Sequence, residues 1–280
     1  MNLIPWVLVV PSALAAEPLS TPAENARWRQ VFDGVAADCK LVRDDTEGER
    51  LALVDRAAYT WARSGPHGGT YGAVYVWTDR GNAESVACFW RYPSAEGKLA
   101  VVHELHSLSP VPLQSEGVGL DSWKPQAGLK RQPLKDAPIP ASTAAGRMQQ
   151  MRTVCRDFSD HSVGAGDDRT ELRLLPQPLY RDQSTNPDVV DGALFAFVCS
   201  VGADPEVFLK LEALNTADGP RWHYIAGRFS HMNLFVNYQD QEVWRALRDS
   251  ENPISHNADH TYRVFHQPFD QTRLPPSRVE

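Results

Sequence analysis

The chain has 280 residues, of which 42% are hydrophobic and 22% are charged, so it can bury a packed core and does not have the composition of a disordered protein. Its length suits two ordinary domains. The formal net charge is −7 and no long basic run occurs, which argues against nucleic acid or an anionic membrane as the main partner.

The first 16 residues predict an export signal. A short apolar run, residues 3–10, precedes small residues that suit a signal peptidase. Cleavage near Ala15 or Ala16 would leave an exported chain, periplasmic or extracellular, that starts near Glu17. No Lys or Arg precedes the apolar run, so an uncleaved anchor and a misassigned start codon are the alternatives. No membrane span is predicted in the mature chain, because no later stretch is apolar enough to cross a bilayer.

The sequence indicates an internal repeat, in which residues 51–123 resemble residues 172–244 at an offset of about 121. A residue kept in both copies is expected to serve the fold, whereas a polar residue found in one copy is a candidate for a site. The matched pairs are Leu51 with Leu172, Leu53 with Leu174, Tyr59 with Tyr180, Val86 with Val207, Ser109 with Ser230, Leu113 with Leu234 and Trp123 with Trp244.

Each copy is predicted to open with a helix, because apolar residues recur at steps of three and four. Thr21 and Glu24 form a capping-box pattern before the first helix. In the alignment of the two helices, Phe32 matches Met148 and Val35 matches Met151. The apolar positions are Trp28, Val31, Phe32, Val35 and Cys39 in the first helix, and Met148, Met151, Val154, Cys155 and Phe158 in the second.

Strands separated by turn residues follow each helix. In residues 206–214, Val207 and Leu209 occupy one face of a predicted strand while Phe208 and Lys210 occupy the other. A further strand, residues 262–265, is expected to dock back on the second copy. The other predicted strands are residues 72–78, 86–91 and 99–108 in the first copy, and 172–175, 192–198, 221–229 and 234–238 in the second.

We therefore predict an α+β fold of two tandem related domains, each a helix packed on a curved antiparallel meander sheet, by analogy with cystatin and nuclear-transport-factor-like folds. One continuous sheet or barrel shared by both copies is the alternative. The predicted boundaries are a signal peptide at 1–16, a first α+β repeat at 17–123, a Pro/Ala-rich linker at 124–143, a second repeat at 144–248 and a C-terminal extension with one short strand at 249–280.

Four cysteines remain in the mature chain. An even number in an exported protein permits two disulfides with three possible connectivities. Buried thiols are the favoured interpretation for the two that align on the predicted helices. The cysteines are Cys39, Cys88, Cys155 and Cys199.

The sharpest local cluster of polar residues is His103-Glu-Leu-His106, on a predicted strand. Glu104 and His106 would share one face about 7 Å apart and could supply two metal ligands, with His103 on the other face. The second copy has Ile225 and Gly227 at the aligned positions. A half-exposed strand face carries such residues routinely, so ordinary surface residues are the alternative.

A looser group of histidines in the tail matches no standard metal site, and solvated side chains are expected there. No Gly-x-Ser-x-Gly elbow occurs. No catalytic residues are assigned and no cofactor is predicted. The tail group consists of His256, His260, His266 and Asp259.

Three segments of the second copy resemble a family of uncharacterised exported proteins of planctomycete-type bacteria. They are Leu172-Arg-Leu-Leu-Pro-Gln-Pro-Leu-Tyr-Arg181, Asp191-Gly-Ala-Leu-Phe-Ala-Phe197 and Asp204-Pro-Glu-Val207, and the likeness is strongest over residues 147–244. The resemblance implies fold and export but no activity. Asp182 stands where the resemblance predicts a strand-forming residue.

These observations predict a non-enzymatic exported module that binds an unknown protein or cell-envelope partner. The alternative is an enzyme that binds a small ligand or a metal in a pocket of the curved sheet or at the domain interface.

Overall fold

The structure is a computed structural model that describes residues 21–45, 49–63, 69–93, 98–116, 123–127, 130–199, 203–248 and 257–276. The predicted signal peptide, residues 1–16, lies outside the described residues, as does His256 of the tail group.

The described residues form helices at both predicted places and antiparallel strands elsewhere, so the α+β prediction is confirmed. In chain order the elements are α1 (Pro22–Asp38), β1 (Lys40–Arg43), β2 (Ala52–Leu53), β3 (Tyr59–Arg63), β4 (Thr70–Asp79), β5 (Asn82–Pro93), β6 (Leu99–Ser107), β7 (Leu113–Glu116), β8 (Gln132–Pro133), α2 (Ala144–Cys155), β9 (Phe158–Val163), β10 (Arg169–Leu174), β11 (Tyr180–Arg181), β12 (Val189–Cys199), β13 (Pro205–Leu214), β14 (Arg221–Arg228), β15 (Asn233–Tyr238), β16 (Gln241–Ala246), β17 (Tyr262–Phe269) and the 3-10 helix Gln271–Arg273.

Helix α1 begins where the capping pattern predicts. The Thr21 hydroxyl accepts a hydrogen bond from the backbone N–H of Glu24 at 3.1 Å, and Pro22 occupies the first turn, where its missing N–H costs nothing. Trp28, Phe32 and Ala36 are the buried residues of this helix. The apolar stripe read from the sequence therefore faces the core.

The strands form two large antiparallel sheets. In the N-terminal sheet the order is β17, β6, β5, β4 and β2, and β3 also pairs with β4. In the C-terminal sheet the order is β16, β15, β9, β10, β12, β13, β14 and β8, and β11 also pairs with β12. Strands β1 and β7 pair with each other, and the N–H of Leu51 bonds to the carbonyl of Leu41 in β1.

The two halves exchange their outermost strands. Strand β17, from the C-terminal extension, pairs with β6 from Tyr262 opposite His106 to Phe269 opposite Leu99. Strand β8, from the predicted linker, pairs with β14. The expectation that residues 262–265 dock on the second copy is therefore wrong. The outer edge of β14 is covered by β8, whereas the edge of β6 is open to β17.

Three hydrophobic clusters define the layers. The first lies between α1 and the outer face of the N-terminal sheet, and the second lies between α2 and the outer face of the C-terminal sheet. The third lies between the sheets and includes Val74 and Val86 of one sheet and Leu194 and Phe208 of the other. The sheets thus pack face to face with one helix on each outside, and the central strands are buried on both faces.

Removing β17 should destabilise the first half, although the strand lies far away in sequence. A chain that ends at residue 256 loses the buried side chains of Tyr262 and Val264 and the ring of Phe269, whose centroid lies 4.8 Å from that of Trp28. We expect the free energy of unfolding to fall by at least about 3 kcal/mol in urea titrations.

Amide hydrogen exchange should localise this effect. The amides of β6 should exchange faster in the shortened chain, while those of β9 and β15 keep their protection, and a peptide of residues 257–276 should restore part of the protection. Unchanged exchange in β6 would show that β17 does not hold the first half together.

Candidate functional site

Two tyrosines join the halves reciprocally. The Tyr59 hydroxyl donates to the carbonyl of Ala203, next to β13, at 3.0 Å, and the Tyr180 hydroxyl donates to the carbonyl of Gly81, in the β4–β5 turn, at 3.1 Å. Gly81 has a φ of +80°, and a Cβ there would lie 2.1 Å from the carbonyl oxygen of Gln183. Each half therefore donates one tyrosine hydrogen bond to a backbone carbonyl between two strands of the other half.

A buried ammonium group lies between the sheets. Lys210 of β13 is 1% exposed, and its Nζ lies 2.9 Å from Glu212 Oε1 and 3.4 Å from Asp182 Oδ2. Nζ also donates to the carbonyl of Ala83 in β5 at 3.0 Å, while Asp182 Oδ1 accepts from the N–H of Ala83. The cluster therefore ties the two sheets together through both charge and backbone.

Charge and burial compete in this cluster. Burial alone would lower the pKa of Lys210, but the charges of Asp182 and Glu212 outweigh it and raise that pKa. Burial would raise the pKa of Glu212, but Lys210 and Arg131 hold it at about 2. Burial raises the pKa of Glu84 to about 7 despite the nearby Lys210. Lys210 and Glu212 are therefore charged at neutral pH.

The predicted metal ligands Glu104 and His106 face the space between the sheets. The Tyr262 hydroxyl donates to Glu104 Oε1 at 2.6 Å, and the guanidinium of Arg228 lies 5.3 Å from the centroid of the Tyr262 ring. His106 Nδ1 lies 2.8 Å from the carbonyl oxygen of Ser107. Burial raises the pKa of Glu104 to about 8 and lowers that of His106 to about 4.

Within the described residues no group of three or more His, Cys, Asp or Glu side chains could hold a metal ion. The structure thus places Glu104 and His106 on one strand face, and no third His, Cys, Asp or Glu of the described residues completes a metal site with them. Their assignment as metal ligands stays a prediction.

The four cysteines are free thiols, and three of them are buried: Cys39, Cys88 and Cys155. Cys39 lies at the end of α1 and Cys155 at the end of α2. Burial raises the pKa of Cys39 to about 12, so its thiol is neutral. The buried-thiol interpretation of the two aligned cysteines agrees with the structure.

A cavity of about 350 Å³ opens beneath α1, between that helix and strands β6 and β17. We call it the α1 pocket. Its buried lining residues, which form the floor, are Cys39, Val101 and His103, and its exposed residues, which form the rim, include Gly34, Asp38 and Arg273.

Among the described residues that line the α1 pocket, His103 is the one buried side chain with ring nitrogens that can form hydrogen bonds. It is 1% exposed, and neither ring nitrogen has a hydrogen-bond partner among the described residues. Its ring stacks on Phe265 at 4.5 Å and meets the edge of Phe89 at 5.1 Å. Burial lowers the pKa of His103 to about 4, although a weak hydrogen-bonding interaction with the Gln267 side chain, outside normal hydrogen-bond geometry, acts in the opposite direction. The imidazole is therefore neutral.

Gly34 leaves the pocket open on its helix side. A Cβ built at this position would meet no atom within 4 Å. A glycine in a helix interior costs roughly 0.5–1 kcal/mol relative to alanine, so the fold alone does not favour it. The alignment of the two helices places Gln150 opposite Gly34, and Gln150 bonds to the backbone of Ala141 and Ile139.

A second cavity, of about 410 Å³, lies beneath α2 and is lined in part by Arg152 and Arg156. Arg152 Nη2 donates to Gln177 Oε1 at 2.6 Å, whereas its Nε has no partner among the described residues. Arg152 and Arg156 lie at the C-terminal end of α2, where a positive charge interacts favourably with the helix dipole. The α1 pocket, with its unpartnered buried imidazole, is therefore the stronger candidate site.

Sequence reasoning placed His103 on the face opposite Glu104 but gave it no role. The signals that could have found this site are the glycine in the middle of the α1 stripe and the histidine on the strand face that α1 covers. Neither signal is specific without knowledge of which element packs on that face.

Fold and site define an α+β protein of two stacked antiparallel sheets with a pocket under one outer helix. No protein-family model, curated protein or solved structure matches the chain. Neither helix in the described ranges is long and apolar enough to cross a bilayer.

Replacing Lys210 by methionine should test the buried cluster. The substitution keeps the length of the side chain but leaves Asp182 and Glu212 without the ammonium group, so we expect a loss of about 3–5 kcal/mol in the free energy of unfolding. Lys40→Met, at an exposed position, is the matched control and should stay within about 0.5 kcal/mol of wild type. Equal stability of the two variants in urea titrations would refute a cohesive role for Lys210.

Stability should fall as the pH rises above neutrality. Burial raises the pKa of Glu84 and Glu206 to about 7 and that of Glu104 to about 8, all from 4.5, so the folded state binds protons that the unfolded state has released. Their contribution is full below 4.5 and is lost as the pH rises through 7 to 8. His103 and His106 act oppositely, but only below their unperturbed pKa of 6.5.

Between about pH 6.5 and 8.5 the carboxyl contribution is therefore isolated, and the free energy of unfolding should drop by about 3 kcal/mol. The triple variant Glu84→Gln, Glu104→Gln, Glu206→Gln should flatten this slope, whereas Glu49→Gln, at an exposed position, should not. A slope that is the same in all three proteins would contradict the assignment.

Proposed function

We propose that this protein is an exported, non-enzymatic binding module built from two related α+β halves, and that it binds a small, mostly apolar molecule in the α1 pocket. The observation that carries the proposal is the fully buried, unpartnered His103 on the floor of that pocket. An unsatisfied buried polar group costs roughly 1–3 kcal/mol, and a ligand that bonds to it removes that cost.

The strand orders support the relation between the halves. From the exchanged strand inward, the N-terminal sheet runs β17, β6, β5, β4, β2 and the C-terminal sheet runs β8, β14, β13, β12, β10. The next pairs along the chain, β1 with β7 and β9 with β15, also correspond. The reciprocal bonds of Tyr59 and Tyr180, which the repeat alignment matches, support the same relation.

The lining of the α1 pocket supports binding rather than catalysis. A nucleophilic cysteine needs a lowered thiol pKa, whereas burial raises that of Cys39 to about 12. A general base works best with a pKa near the operating pH, whereas that of His103 is about 4. The acid–base candidates Glu104 and His106 lie on the strand face opposite His103, between the sheets.

The size and shape of the pocket support a small ligand. A volume of about 350 Å³ lies at the lower end of the range of ligand pockets, roughly 300–1,000 Å³. Val31, Val35 and Phe269 supply apolar walls. We expect the protein or cell-envelope partner predicted from the sequence to bind other surfaces of the exported chain.

Substitutions at Gly34 test the proposal. Gly34→Leu should fill the pocket, whereas Gly34→Ala adds one methyl group and leaves most of the volume. Both remove a glycine from a helix interior, so both should fold at least as stably as wild type. Weaker binding by Gly34→Leu therefore cannot result from unfolding.

The measurement is a thermal-shift screen of residues 17–280 with small aromatic probes: indole, benzyl alcohol, 2-naphthol and 2-methylnaphthalene. A probe at a hundredfold excess over its Kd should stabilise wild type and Gly34→Ala by about 2.7 kcal/mol, and Gly34→Leu should lose that shift. Shifts that are equal in Gly34→Leu and wild type would place binding elsewhere and defeat the proposal.

A further inference from the structure

The floor of the α1 pocket holds polar groups but no charge. Cys39, Val101 and His103 are its buried lining residues. The thiol of Cys39 and the imidazole of His103 are both neutral because burial disfavours their charged forms. The charged lining residues, Asp38 and Arg273, are exposed at the rim and have opposite signs, so the rim favours neither anions nor cations as a class.

A neutral imidazole offers one N–H donor and one acceptor nitrogen. In His103 neither forms a hydrogen bond of normal geometry with the described residues, and Gln267, which also lines the pocket, is the neighbouring polar side chain that a ligand would have to displace. A ligand hydroxyl group can match either of them, because it both donates and accepts. A carboxylate at the same depth would only accept, and its charge would be desolvated without a cation beside it, which is costly.

One aromatic side chain, Phe269, is among the described lining residues of the pocket, and it also contacts Trp28 of α1. Behind it, Phe265 stacks on the imidazole with an interplanar angle of 21° and Phe89 meets the edge of the same ring, so both hold His103 in place. Aromatic rings prefer such offset-stacked and edge-to-face neighbours.

From this geometry we infer that the α1 pocket selects uncharged hydroxylated aromatic molecules, with the hydroxyl group bound to His103 and the ring between α1 and β17. This inference rests on the proposed function and names the ligand class of the same site. His103 is the residue that determines specificity for the hydroxyl group, and Gly34 provides the space for the ring.

The test compares three probes that share one ring system: 2-naphthol, 2-naphthoate and 2-methylnaphthalene. Their Kd values would be measured by calorimetry near pH 7 on residues 17–280, where 2-naphthol is neutral and 2-naphthoate is ionised. We expect 2-naphthol to bind wild type about tenfold or more tightly than either of the other two.

Variants at position 103 separate recognition from packing. His103→Phe keeps a ring between Phe89 and Phe265 but removes both nitrogens. The affinity for 2-naphthol should therefore fall to the level of the affinity for 2-methylnaphthalene. The affinity for 2-methylnaphthalene itself should not change. His103→Gln restores a donor and an acceptor and should recover part of the preference. Thermal unfolding of each variant would verify that it is folded.

The outcomes distinguish the two proposals. If no probe binds in a manner that Gly34→Leu abolishes, the proposed function fails. If the probes bind at the pocket but 2-naphthoate binds as tightly as 2-naphthol, or His103→Phe leaves the preference intact, only the inference about the ligand class fails. A hydroxyl preference that disappears in His103→Phe and partly returns in His103→Gln supports it.

Discussion

The ammonium group of Lys210, buried between the sheets, is the interaction on which the rest of the structure depends. A lone buried charge would be strongly unfavourable, so Lys210 requires both Asp182 and Glu212 within reach. Asp182 in turn requires a glycine beside it, because a Cβ at position 192 would lie 2.3 Å from its Oδ2. Since the Ala83 backbone bonds to both Lys210 and Asp182, the charge fixes the distance between the two sheets. Asp182 therefore departs from the strand pattern for a physical reason: its carboxylate serves the contact between the sheets.

Reciprocal contacts and apolar packing fill much of the space between the two sheets in the described residues. Each half donates a tyrosine hydroxyl to a backbone carbonyl of the other, and the edge strands β8 and β17 come from the predicted linker and the C-terminal extension. The space between the sheets is filled by a hydrophobic cluster that includes Phe208 and Phe229, whose rings lie 4.4 Å apart. The α1 and α2 cavities consequently lie on the outer faces, under the helices.

Local pattern predicted the elements well but not their burial. The spacing of Trp28 and Phe32 is enough to define the buried face of α1, because helical periodicity depends only on neighbours along the chain. Alternation in β13 also predicted a strand, but Lys210 opposite Leu209 and Leu211 is typical of a face that meets water, and here that face meets a second sheet. The partner of β17 was mispredicted for the same reason, because the choice between β6 and β14 depends on which edge β8 already covers. His103 could be assigned to a face but not to a pocket, since the pocket is formed by α1, β6 and β17 from distant parts of the sequence.

Cavities lie under both outer helices, but the residues around them differ. Under α2, Gln150 binds the backbone of Ala141 and Ile139, so that the segment after β8 lies against the helix. At the aligned position of α1, Gly34 has no side chain with which to hold a segment, and a Cβ there would meet only open space. The strand residues under the two helices also differ. The offset of about 121 residues aligns His103 with Tyr224, and the Tyr224 hydroxyl donates a hydrogen bond to the carbonyl of Val243. Tyr224 thus has a partner within its own half, whereas neither ring nitrogen of His103 forms a hydrogen bond of normal geometry with the described residues. The two outer faces therefore differ at Gly34 and His103, the residues on which the proposed ligand site rests.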